Sequence, residues 1–566
     1  MTSEAGIETD TAGIVNVATR LHDHAAEHPE QIAVAAPQGR DARGKYRYRA
    51  MTYAELDSLS TRLACGMLRQ GIAPGDRIAL LVPPSIEFIV CVFALFKAGV
   101  VSILIDPGMG RRNMIGCLSE AEPDGFVGVP LAQVARLLFR RRFSQARHFV
   151  TVGKKLGWSG TTYRRLIETD NRRDELPPTY RDDPAAIIFT TGSTGPAKGV
   201  LYRHGNFDAQ VEQIQQRFGI EPGGVDLAGF PLFGLFNSGM GLTTVIPDMD
   251  PTRPAKVNPR NVLDHVRDWN VTQSFGSPAL WNRVGRYCEA HGERLATLRN
   301  VYSAGAPVPG HVLRRIKAAM HPHGEVYTPY GATEALPVAA INASEVLGET
   351  QTATDAGGGV CVGRRFSGIT WQVIAISDGP LPDIAATRPL PRGEIGELIV
   401  QGPVVTTEYA TRREANALGK IADGDTFWHR MGDVGYLDEQ DRFWFCGRLA
   451  HRVTTETGTM FTIPCEAIIN THPGVYRSAL VGVGPANRQR PVMVVEREPT
   501  ADGELLGDAA LLNEVRQLAA EHAPTREIEH FLLHPGLPVD IRHNAKIFRE
   551  KLVPYAESLL RKHRRT

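Results

Sequence analysis

No Cys-x-x-Cys pair occurs among the seven cysteines, which stand singly at positions 65, 91, 117, 288, 361, 446 and 465. An odd, scattered set argues against a zinc site and a disulfide framework, and it predicts a reducing, cytoplasmic setting. An excess of one charge is missing too. With 63 Lys and Arg against 62 Asp and Glu, no overall field draws the chain to nucleic acid or to a membrane. The opening residues, MTSEAGIETDTAG, are polar and acidic, the opposite of a signal peptide. There is no internal repeat and no extended low-complexity tract. The best candidate for a membrane span, Phe88 to Ile105, is cut by Lys97 and Gly99. It predicts a buried helix and a following strand, each too short to cross a bilayer.

What is present points to an α/β enzyme. At 566 residues the chain exceeds one ordinary core, and its 56 glycines and 38 prolines are spread among many turns. MTYAELDSLSTRLACGMLRQGI has apolar residues at helical spacing, and Thr52 with Glu55 predicts a capping box. Helix-like and strand-like runs then alternate, as in a parallel α/β layer. The strand-like runs AAIIFTT, LRNVYSAGAP and HGEVYTPYG end in small-residue loops, where ligands of such sheets sit. GEIGELIVQGPVVTTEY and RFWFCGR read as β structure, with Arg448 closing the large domain. The expected architecture is a large N-terminal domain of αβ layers with a β-rich subdomain (1–448), then a small mobile α+β domain (449–566).

Four stretches carry chemistry. TTGSTGPAKG, residues 190–199, lacks the Gly-Lys-Ser/Thr succession of a nucleotide P-loop. Its glycines still let backbone N–H groups approach an anion, in a turn of the kind that leads into a helix. Thr190, Thr191, Ser193 and Thr194 add hydroxyls, and Lys198 adds a positive charge. YTPYGATEA offers an aromatic face, a hydroxyl and a carboxylate together. In MGDVGYLDEQDRFWFCGR, Asp433 falls in an expected turn, and Arg448 completes a pair suited to the hydroxyls of a ribose. NAKIFREKL supplies Lys546.

That ordered set resembles the adenylate-forming superfamily of acyl- and aryl-CoA ligases, peptide-synthetase adenylation modules and firefly-type luciferases. The resemblance runs from about residue 14 to 555 and includes SAGAPV (303–308) and GEIGELIVQGP. It implies that Thr190, Thr191, Gly192, Ser193, Thr194, Gly195 and Lys198 hold the β- and γ-phosphates of ATP. Thr333 would contact the α-phosphate, and Glu334, with Thr190, would hold Mg2+. Tyr330, Gly331 and the Gly305-Ala306-Pro307 loop would frame adenine, and Asp433 and Arg448 would bind ribose. Lys546 would swing in as the substrate carboxylate attacks phosphorus.

The match fails at two places. After Gly447-Arg448 the family pattern expects two acids and a lysine, but Ala450, His451 and Thr454 stand there and Gly458 arrives one residue late. In GFPLFGLFNSGMG, Gly234 replaces a histidine common in acyl-CoA ligases, leaving Phe233, Gly234, Phe236 and Asn237 as the substrate-side residues. Both departures, with NAK for the usual SGK, resemble one branch, the β-lactone synthetases of bacterial long-chain olefin biosynthesis. That resemblance implies adenylation of a long-chain 2-alkyl-3-hydroxy acid, then displacement of AMP by its own hydroxyl. It also implies work beside a thiolase-like enzyme, a reductase and a lactone decarboxylase. A long-chain acyl-CoA ligase and a non-catalytic nucleotide-binding scaffold remain as other readings. His204 and His451 are candidate bases for ring closure or satisfied structural histidines. ARLLFRRRFSQARH (135–148) predicts a basic amphipathic helix, and RKHRRT a basic tail. Each reads as a solvated face, or as a contact for an anionic surface or a partner.

Overall fold

A computed structural model describes residues 15–189, 196–230, 232–498, 507–540 and 547–563. Two compact units form. The first comprises the described residues before 190 with Ala197–Pro247 and Pro403–Arg413; the second comprises Asp248–Gly402 and the chain from Glu414 onward.

In the first unit a seven-stranded sheet runs Thr161–Thr162, His148–Thr151, Gly125–Gly128, Arg77–Leu81, Val101–Leu104, Pro184–Phe189, Gly199–Arg203. All its neighbours are parallel except the last pair. Thr52 and Glu55 do form a capping box at the start of the Tyr53–Arg69 helix. The apolar run at 88–105 becomes the buried Ile86–Lys97 helix and the Val101–Leu104 strand. Its interrupting lysine is buried as well. The Lys97 ammonium donates to Asp57 at 2.6 Å, Ser60 at 2.8 Å and Thr61 at 3.0 Å. Burial pulls its pKa down to about 8, against the opposing pull of Asp57. Among the described residues, no helix is long and apolar enough to cross a membrane.

The second unit begins with the parallel strands Gln273–Gly276, Asn300–Ser303 and Glu325–Ala332. An antiparallel run follows through Ala335–Asn342, Val360–Arg365, Arg442–Arg448, Thr426–Leu437, Gly396–Gln401 and Thr370–Ile374. Near the C-terminus a separate sheet pairs Val475–Val483, Arg490–Arg497 and His530–His534. Alternation along its strands covers both faces. Leu480, Met493 and Val495 pack against the Thr462–Ile469 and Asp508–Ala520 helices, whereas Ala479, Val481, Val492 and Val494 pack against Arg549–His563. The α/β class, with a large layered part and a smaller α+β part, is as the sequence implies.

One expected element ends early. The basic helix spans Pro130–Leu138 rather than extending to residue 148, and a short 3-10 turn covers Arg140–Arg142. Phe143 is drawn into the core against Phe126, and His148 starts a strand.

Candidate active site

Three polar side chains converge in the second unit. Asp433 and Arg448 are direct partners across antiparallel strands, so Asp433 sits inside a strand and not in the turn its sequence context suggests. Gly432, with φ +63°, places a left-handed kink within that strand, and this local feature mimics a turn signal. The Arg448 guanidinium donates to the Asp433 carboxylate at 2.6 Å and to the Met431 carbonyl at 3.2 Å. On the other side, the Tyr330 hydroxyl donates to Asp433 at 2.6 Å. Asp433 is buried. Burial first, and then the Asp433 charge, push the Tyr330 phenol well above its usual pKa, so it stays a neutral donor. Asp433 pushes Arg448 up, with smaller contributions from Tyr330 and Glu334.

Tyr330 is positioned by its strand, where Phe443 and Phe445 flank it at ring-centroid distances of 6.0 and 6.4 Å. Gly331 follows because a Cβ there would lie 2.7 Å from the Ala335 carbonyl oxygen. Ala332 pairs with Ala335, so Thr333 and Glu334 form the two-residue tip of a hairpin. Gly305, Ala306 and Pro307 leave the end of the Asn300–Ser303 strand, which pairs in parallel with the strand bearing Tyr330. Gly305 turns the chain there at φ +96°. The geometry thus gathers Tyr330, Asp433 and Arg448 by direct contact, with Glu334 in electrostatic range of Arg448.

The remaining sequence-derived residues fall elsewhere. Thr190, Thr191, Gly192, Ser193, Thr194, Gly195 and Lys546 lie outside the described residues. Phe189 pairs with Gly199, so the glycine-rich stretch joins two antiparallel strands instead of leading into a helix. Lys198 sits over the Tyr409 ring at 4.6 Å, and the Gly199 amide donates to Thr411 at 2.8 Å. In the first unit, Phe233 and Phe236 continue an aromatic series with Phe230 and Phe207. Gly234 is buried, and a Cβ on it would lie 3.1 Å from the Ala228 Cβ, so any side chain there would crowd Ala228. Asn237 spends its amide on the buried Asp226 at 2.8 Å and on Thr244 at 3.2 Å, contacts that belong to packing.

The rewritten stretch after Arg448 has its own order. Val453–Thr454 pairs with Thr459–Met460, and the Thr455 hydroxyl accepts from the Thr457 and Gly458 amides. The late glycine therefore closes a short hairpin. Sequence reasoning missed a buried pair nearby. Glu466 accepts from Arg549 at 2.6 and 2.7 Å and from the Leu480 amide at 2.9 Å. Together with the Val539–Ile547 bridge, this pair fixes the chain immediately after Lys546. Only tertiary structure reveals it, because Glu466 and Arg549 are 83 residues apart.

A phenol, a carboxylate and a guanidinium on strands of one sheet, beside a hairpin tip carrying a second carboxylate, suit a polyhydroxylated anionic ligand such as a nucleotide. Residues 21–410 match the AMP-binding enzyme family, and the chain belongs to it. Within that class it is similar along nearly its whole length to two proteins of one kind. It is 47% identical over 551 residues to the olefin β-lactone synthetase of Xanthomonas campestris pv. campestris, covering 96% of this chain and 98% of that protein. It is also 47% identical over 556 residues to the olefin β-lactone synthetase of Stenotrophomonas maltophilia, covering 97% and 99%. Among solved structures, ATP-bound MatB from Rhodopseudomonas palustris shares the fold, with a TM-score of 0.76 at 23% identity, covering 96% of this chain and 99% of that one.

Proposed function

We propose that the protein activates a long-chain 2-alkyl-3-hydroxy fatty acid with ATP and closes it to a β-lactone, releasing pyrophosphate and AMP. The observation that carries this reading is the end-to-end 47% identity to two olefin β-lactone synthetases. Asp433 and Arg448 hold the ribose hydroxyls, and Tyr330, Gly331 and the Gly305-Ala306-Pro307 loop frame the adenine. Tyr330 also fixes the Asp433 carboxylate through its hydroxyl. Thr190, Thr191, Gly192, Ser193, Thr194, Gly195 and Lys198 bind the β- and γ-phosphates, and Thr333 the α-phosphate.

The residues also fit Mg2+. No cluster of three His, Cys, Asp or Glu exists among the described residues to hold a metal by protein groups alone. Mg2+ is commonly bound by one or two carboxylates, with phosphates and water completing its shell. Glu334 is the carboxylate available for that, with Thr190 beside the phosphates, and the ion when bound neutralises phosphate charge.

In the first step the substrate carboxylate oxygen bonds to the α-phosphorus and pyrophosphate leaves. Lys546, delivered by residues 449–566 acting as a mobile lid, stabilises the developing charge. In the second step the 3-hydroxyl oxygen attacks the acyl carbon, the bond to AMP breaks, and the hydroxyl proton passes to solvent or a base. A nucleophile already on the substrate has an effective concentration of roughly 10⁵ M or more when well oriented. The ring therefore closes without a second substrate, consistent with the loss of the family's hinge acids at Ala450 and His451. Phe233, Gly234 and Phe236 provide apolar surface for the alkyl arms. The reaction suits a reducing cytoplasm, and pathway enzymes that supply the hydroxy acid and consume the lactone are its expected neighbours. Replacing Lys546 with Ala should slow pyrophosphate release roughly 10²-fold or more while ATP still binds. Undiminished release by that variant would contradict the assignment.

A further inference from the structure

The Pro130–Leu138 helix is built inside out. Gln133 and Arg136 are its buried residues, whereas Leu131 is 79% and Leu138 76% exposed. The inward polar groups are accommodated in part, since one terminal nitrogen of Arg136 is buried with no hydrogen-bond partner among the described residues. Gln133 donates to the Val150 carbonyl at 3.0 Å, Arg136 donates to Gln133 at 3.0 Å, and the Arg136 guanidinium stacks on Phe149 at 3.7 Å. Burying an arginine while turning leucines to water is unfavourable for an isolated chain, so the outward face needs another reason.

Eight large hydrophobic side chains are exposed among the described residues, and six gather here: Leu131, Val134, Leu137, Leu138, Phe139 and Leu156. Leu156 lies in the loop after the His148–Thr151 strand, which is a parallel neighbour of the strand preceding the helix, Gly128 opposite Thr151. A Cβ on Gly153 would lie 3.6 Å from Pro130, so that loop runs against the start of the helix. The segment that carries this face has charge of one sign. Nine Lys and Arg and no acid occur between Asp124 and Glu168, in a chain whose overall charge is only +1. Arg140, Arg141, Arg142 and Lys154 are exposed beside the leucines.

We propose that this face docks on an anionic phospholipid surface, with the leucines entering the headgroup boundary and the arginines meeting phosphates. A face of five aliphatic side chains and one phenylalanine, in a stretch of sequence whose charges are all cationic, matches an interfacial helix. A protein interface instead tends to have an aromatic-rich core and a rim of mixed polarity. The inference goes beyond the acid-activating reading and does not depend on it.

The test is co-flotation of the full chain with vesicles of phosphatidylcholine containing roughly 30 mol% phosphatidylglycerol, or of phosphatidylcholine alone. The protein should float with the anionic vesicles only, and added salt should weaken the association. Replacing Arg140, Arg141 and Arg142 together with Gln should lower partitioning on the order of 10²-fold. The pair Leu131→Ser and Leu138→Ser should lower it by a similar factor, about 10²-fold. Both variants alter exposed residues, so thermal unfolding and pyrophosphate release with a soluble short-chain acid should match the parent. Absence of vesicle binding by the parent, or equal binding by parent and both variants, overturns the proposal. Protection of the leucines by an acidic protein, with vesicles ignored, assigns the face to a protein partner and overturns it equally.

Discussion

Replacing His204 with Leu should remove an acid-sensitive weakness while leaving activity intact. His204 is fully buried, its ring meets Phe96 edge-on at 5.8 Å, and neither ring nitrogen has a hydrogen-bond partner among the described residues. Burial lowers its pKa from 6.5 to about 4, and Asp183 opposes this only in part. The folded state therefore keeps the imidazole neutral, and the unfolded chain protonates it below about pH 6.5. Because the unfolded state binds more protons, stability falls as pH drops from 6.5 toward 4. Linkage gives a loss of about 2 kcal/mol at pH 5 relative to pH 8, rising to about 3 kcal/mol near pH 4. Urea unfolding of parent and His204→Leu at about pH 8 and pH 5 measures it. The variant should lack that share of the acid destabilisation and should keep lactone formation at pH 8, since a buried imidazole cannot reach a substrate hydroxyl. Identical pH dependence in the two proteins would refute the reasoning, and loss of lactone formation in a folded variant would restore His204 as a base.

Two further perturbations address the site. Asp433→Asn removes the charge that Arg448 and Tyr330 share, and kcat/KM for ATP should fall roughly 10²-fold in a pyrophosphate-release assay. Glu466→Gln leaves the Arg549 guanidinium without its counter-charge and should cost about 3–5 kcal/mol in urea unfolding. Amide exchange along Arg549–His563 should quicken with it, and unchanged exchange would show that the pair does not anchor that segment.

Local rules made much of the fold legible. The Thr52 capping box, the split of the 88–105 run and the strands before each ligand loop follow from capping chemistry and apolar periodicity. Asp433 and Arg448 were recognisable as a pair, yet Gly432 disguised a strand as a turn. The basic stretch 135–148 reads as a helix with a solvated or docking face, yet the helix covers only Pro130–Leu138 and buries Gln133 and Arg136 against a neighbouring strand. The Asn237 amide looked available until Asp226 was brought beside it. Such outcomes depend on residues distant in sequence, which no local pattern encodes.

The central claim concerns the second half of the reaction. A long-chain 2-alkyl-3-hydroxy acid incubated with ATP and Mg2+, with and without CoA, should give a β-lactone and AMP in both cases, identified by NMR and mass spectrometry. A thioester formed only with CoA, and no lactone without it, would contradict the account.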